Sequence, residues 1–162
     1  MKFELLETLA RCRVVASSEM TIPSDVVKEL TEEKLVVQKD FGEESSRKTI
    51  YMLTDKGEVY IKQNMPEIQE IYRGFVVEQD LALCDFYLRR NVDEKKSWIT
   101  KDDLIKKYRL PGTVDGAFMN REGKLVGVKV LNQTANYAAV EKVEGFLKAA
   151  HIEFVHYIMF SK

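Results

Sequence analysis

Apolar residues at positions 3, 5, 6, 9, 12 and 15 (Phe3, Leu5, Leu6, Leu9, Cys12 and Val15) fall on one helical face and predict a helix over 3–15. Ser17-Ser18-Glu19-Met20 offers caps for a short second helix or turn. Pro23 followed by Ser24-Asp25 starts a third helix, which buries Val26, Val27, Leu30 and Leu35. The period then changes from helical to alternating. Leu35 to Phe41 reads as a strand, Gly42 to Lys48 as a polar tip, and Thr49 to Leu53 as the return strand. Thr54-Asp55-Lys56-Gly57 caps a further helix carrying Val59, Tyr60 and Ile61.

The second half opens after Asn64-Met65-Pro66, where proline stops the helix. Residues 67–77 read as further helix or extended linker. Glu78 to Arg90 is an amphipathic helix, and Asn91 to Ser97 a charged loop. Trp98-Ile99 predicts a strand, with a capped helical turn from Thr100. Residues 113–131 form a β-hairpin: Ala117 to Met119 is one arm, Asn120-Arg121-Glu122-Gly123-Lys124 the tip, and Leu125 to Leu131 the other arm. A helix over Ala135 to Ala150 and a strand over His151 to Phe160 complete the pattern. The last strand is apolar on both faces, which predicts a position inside a sheet covered on both sides. The fold class is α+β, divided as a first domain at 1–65, a connection at 66–77 and a small α/β domain at 78–162.

Length and composition agree with this division. A chain of 162 residues with 45% apolar and 31% charged content suits one large folded domain or two small ones. The net charge of −1 announces no nucleic-acid partner by itself, but its distribution is uneven. Residues 1–65 hold 10 basic and 12 acidic side chains, residues 66–99 hold 5 and 7, and residues 100–162 hold 10 and 7. Cys12 and Cys84 have no spacing that suggests a zinc site or a disulfide. With no leader pattern and no apolar run near the ~20 residues that span a bilayer, the expectation is a cytoplasmic protein without a membrane partner.

The stretch Lys34-Leu35-Val36 … Ile50-Tyr51-Met52-Leu53-Thr54-Asp55-Lys56-Gly57 resembles the winged-helix domains of MarR-like and PadR-like DNA-binding proteins. The resemblance implies a DNA partner, or a protein partner where such a domain serves as a docking module. The helix that would enter the major groove, Ser24 to Lys34, holds four acids against two lysines, and that charge repels a phosphate backbone. DNA contact would therefore lean on Arg47 and Lys48 in the wing, or on Arg11 and Arg13. The acidic helix is the candidate face for a protein partner. Lys106, Lys107 and Arg109 beside Tyr108 form a basic cluster that is either a phosphate-contacting strip or a solvated face. Residues 66–90 are the candidate interface of a homodimer.

In a restriction-nuclease-like core, an Asp at the mouth of such a hairpin is the first metal ligand, and an acid on the second arm is the next, followed two positions later by Lys. This chain has Asp115, but Lys129 and Leu131 stand at the second-arm positions. Together with Tyr51 to Gly57, Asp80-Leu81-Ala82-Leu83-Cys84-Asp85, Val114-Asp115-Gly116-Ala117-Phe118 and Glu141 to Phe146, the hairpin resembles the replication-relaxation family of plasmid- and mobile-element-associated proteins. That resemblance implies a degenerate nuclease site at Asp115, Lys129 and Gln133, with no catalytic residue, metal or cofactor. A hard divalent cation needs several converging oxygens, and Asp115 alone does not supply them. Glu122 lies at the tip, Glu141 and Glu144 on the following helix, and His151 and His156 read as structural or surface histidines. Lys129 is placed to pair with Asp115 instead. Three function classes follow: a non-catalytic DNA-associated factor in transcription or in plasmid replication and mobilisation, a divalent-metal nuclease, and a protein-interaction adaptor.

Overall fold

The computed structural model describes residues 1–74, 76–110 and 113–160 as a mixed α+β chain in two compact units, Met1–Leu88 and Arg89–Lys162. In the first unit, α1 (Lys2–Cys12) buries Leu5, Leu6, Leu9, Ala10 and Cys12 completely. Arg13 ends the helix at φ 71°, and the chain enters a short strand, β1 (Val14–Ala16), whose residues are all buried. The expected helix over 3–15 therefore ends three residues earlier, at Cys12, and Val15 belongs to a strand. Of the short helix or turn expected at Ser17–Met20, the chain forms the turn, closed by Glu19 N–H donating to the Ala16 carbonyl at 3.0 Å. Next come α2 (Ser24–Glu32), β2 (Val36–Phe41) and β3 (Lys48–Leu53). The sheet order is β1-β3-β2, antiparallel throughout, with Val14 opposite Met52 and Val36 opposite Leu53.

Helix α3 (Asp55–Asn64) begins where the sequence placed its cap: the Thr54 hydroxyl accepts from Gly57 N–H at 3.0 Å. Gly57 is required by close approach. A Cβ there would lie 2.1 Å from the Leu35 carbonyl oxygen, a backbone atom that cannot swing aside. Gly57→Ala is expected to cost about 2 kcal/mol, as overpacking against backbone does. Chemical denaturation followed by circular dichroism would measure it, and a loss within experimental error would show that α3 shifts freely.

The stretch expected as a connection is built into this unit. Ile68, Ile71 and Tyr72 are buried, and Tyr72 N–H donates to the Ala10 carbonyl at 2.8 Å. Phe75, within the same stretch, lies outside the described residues. Helix α4 (Val77–Leu88), expected to open the second domain, packs on α1 and β1, so the division falls at Leu88 rather than residue 78. The reason is its apolar content: Leu83 and Cys84 are fully buried, and Val77 and Leu81 pack against Val14, Ala16 and Ile50.

The second unit begins with a short helix, α5 (Val92–Lys96), where a loop was expected. Asn91 and Glu94 form a reciprocal capping box. Then follow β4 (Ile99–Thr100), α6 (Lys101–Tyr108) capped by Thr100, the hairpin β5 (Gly116–Met119) and β6 (Leu125–Asn132), α7 (Tyr137–Ala149) and β7 (Phe154–Phe160). The sheet order is β4-β5-β6-β7. The first three strands are antiparallel, and α7 is the crossover that makes β7 parallel to β6. One face carries Ala117, Leu125, Val155 and Tyr157, which pack with Leu104 of α6 and with Val143, Phe146 and Leu147 of α7. On the other face Trp98 stacks on Phe118, ring centroids 6.1 Å apart and planes within 4°. A Cβ on Gly116 would sit 2.5 Å from the Trp98 ring, so the glycine after Asp115 makes room for that indole.

The expectation that the last strand is enclosed is corrected. Strand β7 pairs with β6 on one side and with no described strand on the other. Phe154 and Met159 are 43% and 53% exposed. An edge strand has neighbours along one side only, so an apolar pattern on both faces does not bury it. Among the described residues no helix is long and apolar enough to cross a membrane.

Candidate functional site

The hairpin brings together the residues singled out from the sequence. Gly116 pairs with Val128, so antiparallel register sets Asp115 opposite Lys129 on the same face. Asp115 is held by backbone. Its N–H donates to the Val128 carbonyl at 2.7 Å, and its Oδ2 accepts from Val130 N–H at 2.8 Å. Its Oδ1 lies 3.6 Å from Lys129 Nζ, an ion pair just beyond hydrogen-bond length. The side chains of Asp115 and Lys129 are 13% and 24% exposed, so the pair is mostly enclosed.

The parallel register of β6 and β7 places Tyr157 beside Lys129. Asp115, Lys129 and Tyr157 thus form a polar row across three strands of an otherwise apolar face. The Tyr157 hydroxyl is buried without a hydrogen-bond partner among the described residues. Burial, and then the negative charge of Glu144 on α7, hold its pKa above the usual tyrosine range. Tyr157 was not legible as part of the site, because only the crossover register aligns it with Lys129.

This donor set does not fit a divalent cation. One oxygen of Asp115 is committed to a backbone N–H, the other faces an ammonium, and the nearest neighbour in the row is a phenol. Among the described residues no three His, Cys, Asp or Glu side chains are grouped to hold a metal. Gln133 is exposed just past the end of β6, where its N–H donates to the Phe160 carbonyl at 3.0 Å, and no hydrogen bond ties its side chain to Asp115. Glu122, Glu141 and Glu144 are exposed, as are His151 and His156.

The basic residues separate into interior and exterior sets. Arg47 and Lys48 are exposed at the β2–β3 loop, beside Glu43 and Glu44. Arg11 and Arg13, expected as further DNA contacts, face inward. Arg11 is only 5% exposed and lies 3.8 Å from Glu7. Arg13 Nε is 3.1 Å from Oδ2 of Asp80, itself 1% exposed, and Arg13 also donates to the Gly74 carbonyl. The left-handed backbone at Arg13 turns its side chain towards α4. Lys106, Lys107 and Arg109 are exposed at the end of α6, with Lys107 Nζ 5.2 Å from the Tyr108 ring centroid.

The acidic character of α2 is also altered by its surroundings. Lys2 of α1 bonds Glu29 and Glu33, both at 2.8 Å, and these bonds hold its ammonium well above the usual lysine pKa. Lys28 lies 3.8 Å from Glu32, one turn along. Three of the four acids of this helix and its cap therefore have a cation nearby, and Lys2 was missed because it comes from a different helix. The repulsion read from the sequence is reduced, yet no spare cation is gained. The chain matches no protein-family model, no curated protein and no solved structure.

Proposed function

We propose that the protein is a non-catalytic, nucleic-acid-associated factor: a winged-helix-like unit followed by a nuclease-like unit whose second metal-ligand position is occupied by Lys129. The observation that carries this reading is the Asp115–Lys129 pair. The order helix, strand, helix, strand, loop, strand, helix in the first unit supports the winged-helix part. A meander of three antiparallel strands, a crossover helix and a parallel fourth strand supports the nuclease-like part. A role in transcription or in plasmid replication and mobilisation accords with this pairing. The adaptor reading loses its main motive, since the acids of α2 are largely neutralised within the chain.

The test is to incubate the full chain with duplex DNA and with RNA in Mg²⁺ or Mn²⁺, and to measure binding of the same duplex in parallel. Salt-sensitive binding without cleavage is the expected result. Metal-dependent cleavage that disappears in Asp115→Ala would restore an enzyme.

A further inference from the structure

The division at Leu88 sharpens the charge asymmetry. Residues 1–88 hold 11 Lys and Arg against 17 Asp and Glu, a net −6. Residues 89–162 hold 14 against 9, a net +5. Both units pair some cations and leave others exposed, so the difference between them lies in the surplus of acid in the first and of base in the second. In the first, Lys2, Arg11, Arg13, Lys28 and Arg73 are each in an ion pair with an acid of the same unit, while Lys34, Lys39, Arg47, Lys48 and Lys62 are exposed and in no ion pair among the described residues. In the second, Lys96, Lys107, Arg109, Arg121, Lys142 and Lys148 are exposed and in no ion pair among the described residues. A polyanion is drawn to the second unit and repelled by the first.

We infer that nucleic-acid phosphates are held by the second unit, at the end of α6 through Lys107 and Arg109, rather than by the β2–β3 loop of the first. This rests on the nucleic-acid reading above and names the surface that performs it. Between Asp103 and Asp115 the chain has three cations and no acid, the longest such gap around any of the unpaired cations of this unit. Arg121 adjoins Glu122, and Lys142 adjoins Glu141. Arg47 and Lys48 follow Glu43 and Glu44 in a unit already at −6.

Cations in the last turn of a helix also complement its dipole, which is reason enough for Lys106 and Lys107 to be there. That dipole amounts to about half a negative charge. Against the two charges of Lys107 and Arg109 it leaves the strip positive. Arg109, with left-handed φ 53°, lies beyond the helix as its C-cap and is not needed to continue it.

The test uses the full chain, with fluorescence anisotropy of a labelled DNA duplex between about 50 and 200 mM salt. The double variant Lys107→Glu/Arg109→Glu is expected to bind at least about tenfold more weakly at the low-salt end, with the salt slope reduced by about 1.8 for two lost contacts. Arg47→Glu/Lys48→Glu is expected to stay within about twofold of the parent, since neither side chain belongs to the proposed contact. Lys107→Gln/Arg109→Gln, which keeps polar side chains at both sites, should lose the same slope without adding repulsion, and unchanged amide-exchange protection in β5 and β6 would show that both α6 variants are folded. Loss of binding in the loop variant with retention in both α6 variants would overturn the inference while leaving the nucleic-acid reading intact. A parent that binds no duplex at low salt would overturn that reading and the inference with it. A parent that binds anionic phospholipid vesicles but not duplex would move the partner to a membrane surface and also overturn the inference.

Discussion

Asp80→Ala is expected to destabilise the first unit by about 3 kcal/mol, among the largest effects of any single polar substitution in the protein. Asp80 is 1% exposed, and its partners include Arg13 Nε at 3.1 Å and the Tyr72 hydroxyl, which donates to its Oδ1 at 3.0 Å. Removing the carboxylate strands a guanidinium and a buried phenol at once. Breaking a fully buried pair costs more, but Arg13 is 24% exposed and recovers part of its solvation. Asp80→Asn keeps the shape and an acceptor for Tyr72 and removes only the charge, so it should fall between parent and Ala. Because the chain has two units, a single melting curve is a poor measure. Amide exchange in α1, α4 and residues 68–72 reports the first unit directly. Unchanged protection there in Asp80→Ala would mean that apolar packing alone holds the strap on α1. A double-mutant cycle with Arg13→Ala should return a coupling of at least about 1 kcal/mol.

Asp80 also shows where sequence reading stops. Its helix was legible, because Leu81, Leu83, Cys84, Phe86, Tyr87 and Leu88 crowd into a short span. Its allegiance was not, since nothing local says which core those residues enter. The same holds for residues 66–76, where Pro66 and scattered charges read as a connection while Ile68, Ile71 and Tyr72 are buried and Tyr72 N–H bonds the Ala10 carbonyl of α1. Strand β1 was hidden because Val15 continues the helical spacing of α1. The break depends on a left-handed arginine, a conformation that residue type does not announce. Helix α5 was hidden for the opposite reason: it has no apolar stripe, and only the Asn91-x-x-Glu94 capping box marked it.

The elements read correctly are those whose signals are local. Thr54 to Gly57 fixes a cap by side-chain reach and a close approach by the missing Cβ. The hairpin follows from two apolar arms and a tip whose Asn120 side chain accepts from the N–H groups of Glu122 and Lys124, at 3.0 and 2.9 Å. Once the hairpin register is known, Asp115 and Lys129 must face each other. Arg11 and Arg13 depart from the expectation because positive charge does not by itself mark the surface. A long side chain next to an acidic partner can be drawn inward, and the partner of Arg13 lies 67 positions away.

Asp115→Ala is expected to cost the second unit about 2–3 kcal/mol, and the source of that cost can be separated. The ion pair with Lys129 is long at 3.6 Å, and the ammonium retains access to water, so its share is below about 1 kcal/mol. The bond from Val130 N–H, at 2.8 Å, is buried, and losing its acceptor leaves an orphaned donor in the middle of β6, at about 1–3 kcal/mol. Asp115→Asn keeps an oxygen for that donor while removing the charge, and should therefore lose less than half as much as Ala. Amide exchange of Val130 against its neighbours would measure this directly; equal losses in Asn and Ala would assign the stability to the ion pair instead. Lys129→Glu sets two carboxylates opposite each other on one face, which lowers stability without metal and should add Mn²⁺-dependent stabilisation that the parent lacks. The size of that gain at a given free metal concentration gives the affinity of the created site through mass action. Should the parent itself gain stability with Mn²⁺, and lose that gain in Asp115→Ala, Lys129 would not be excluding the ion.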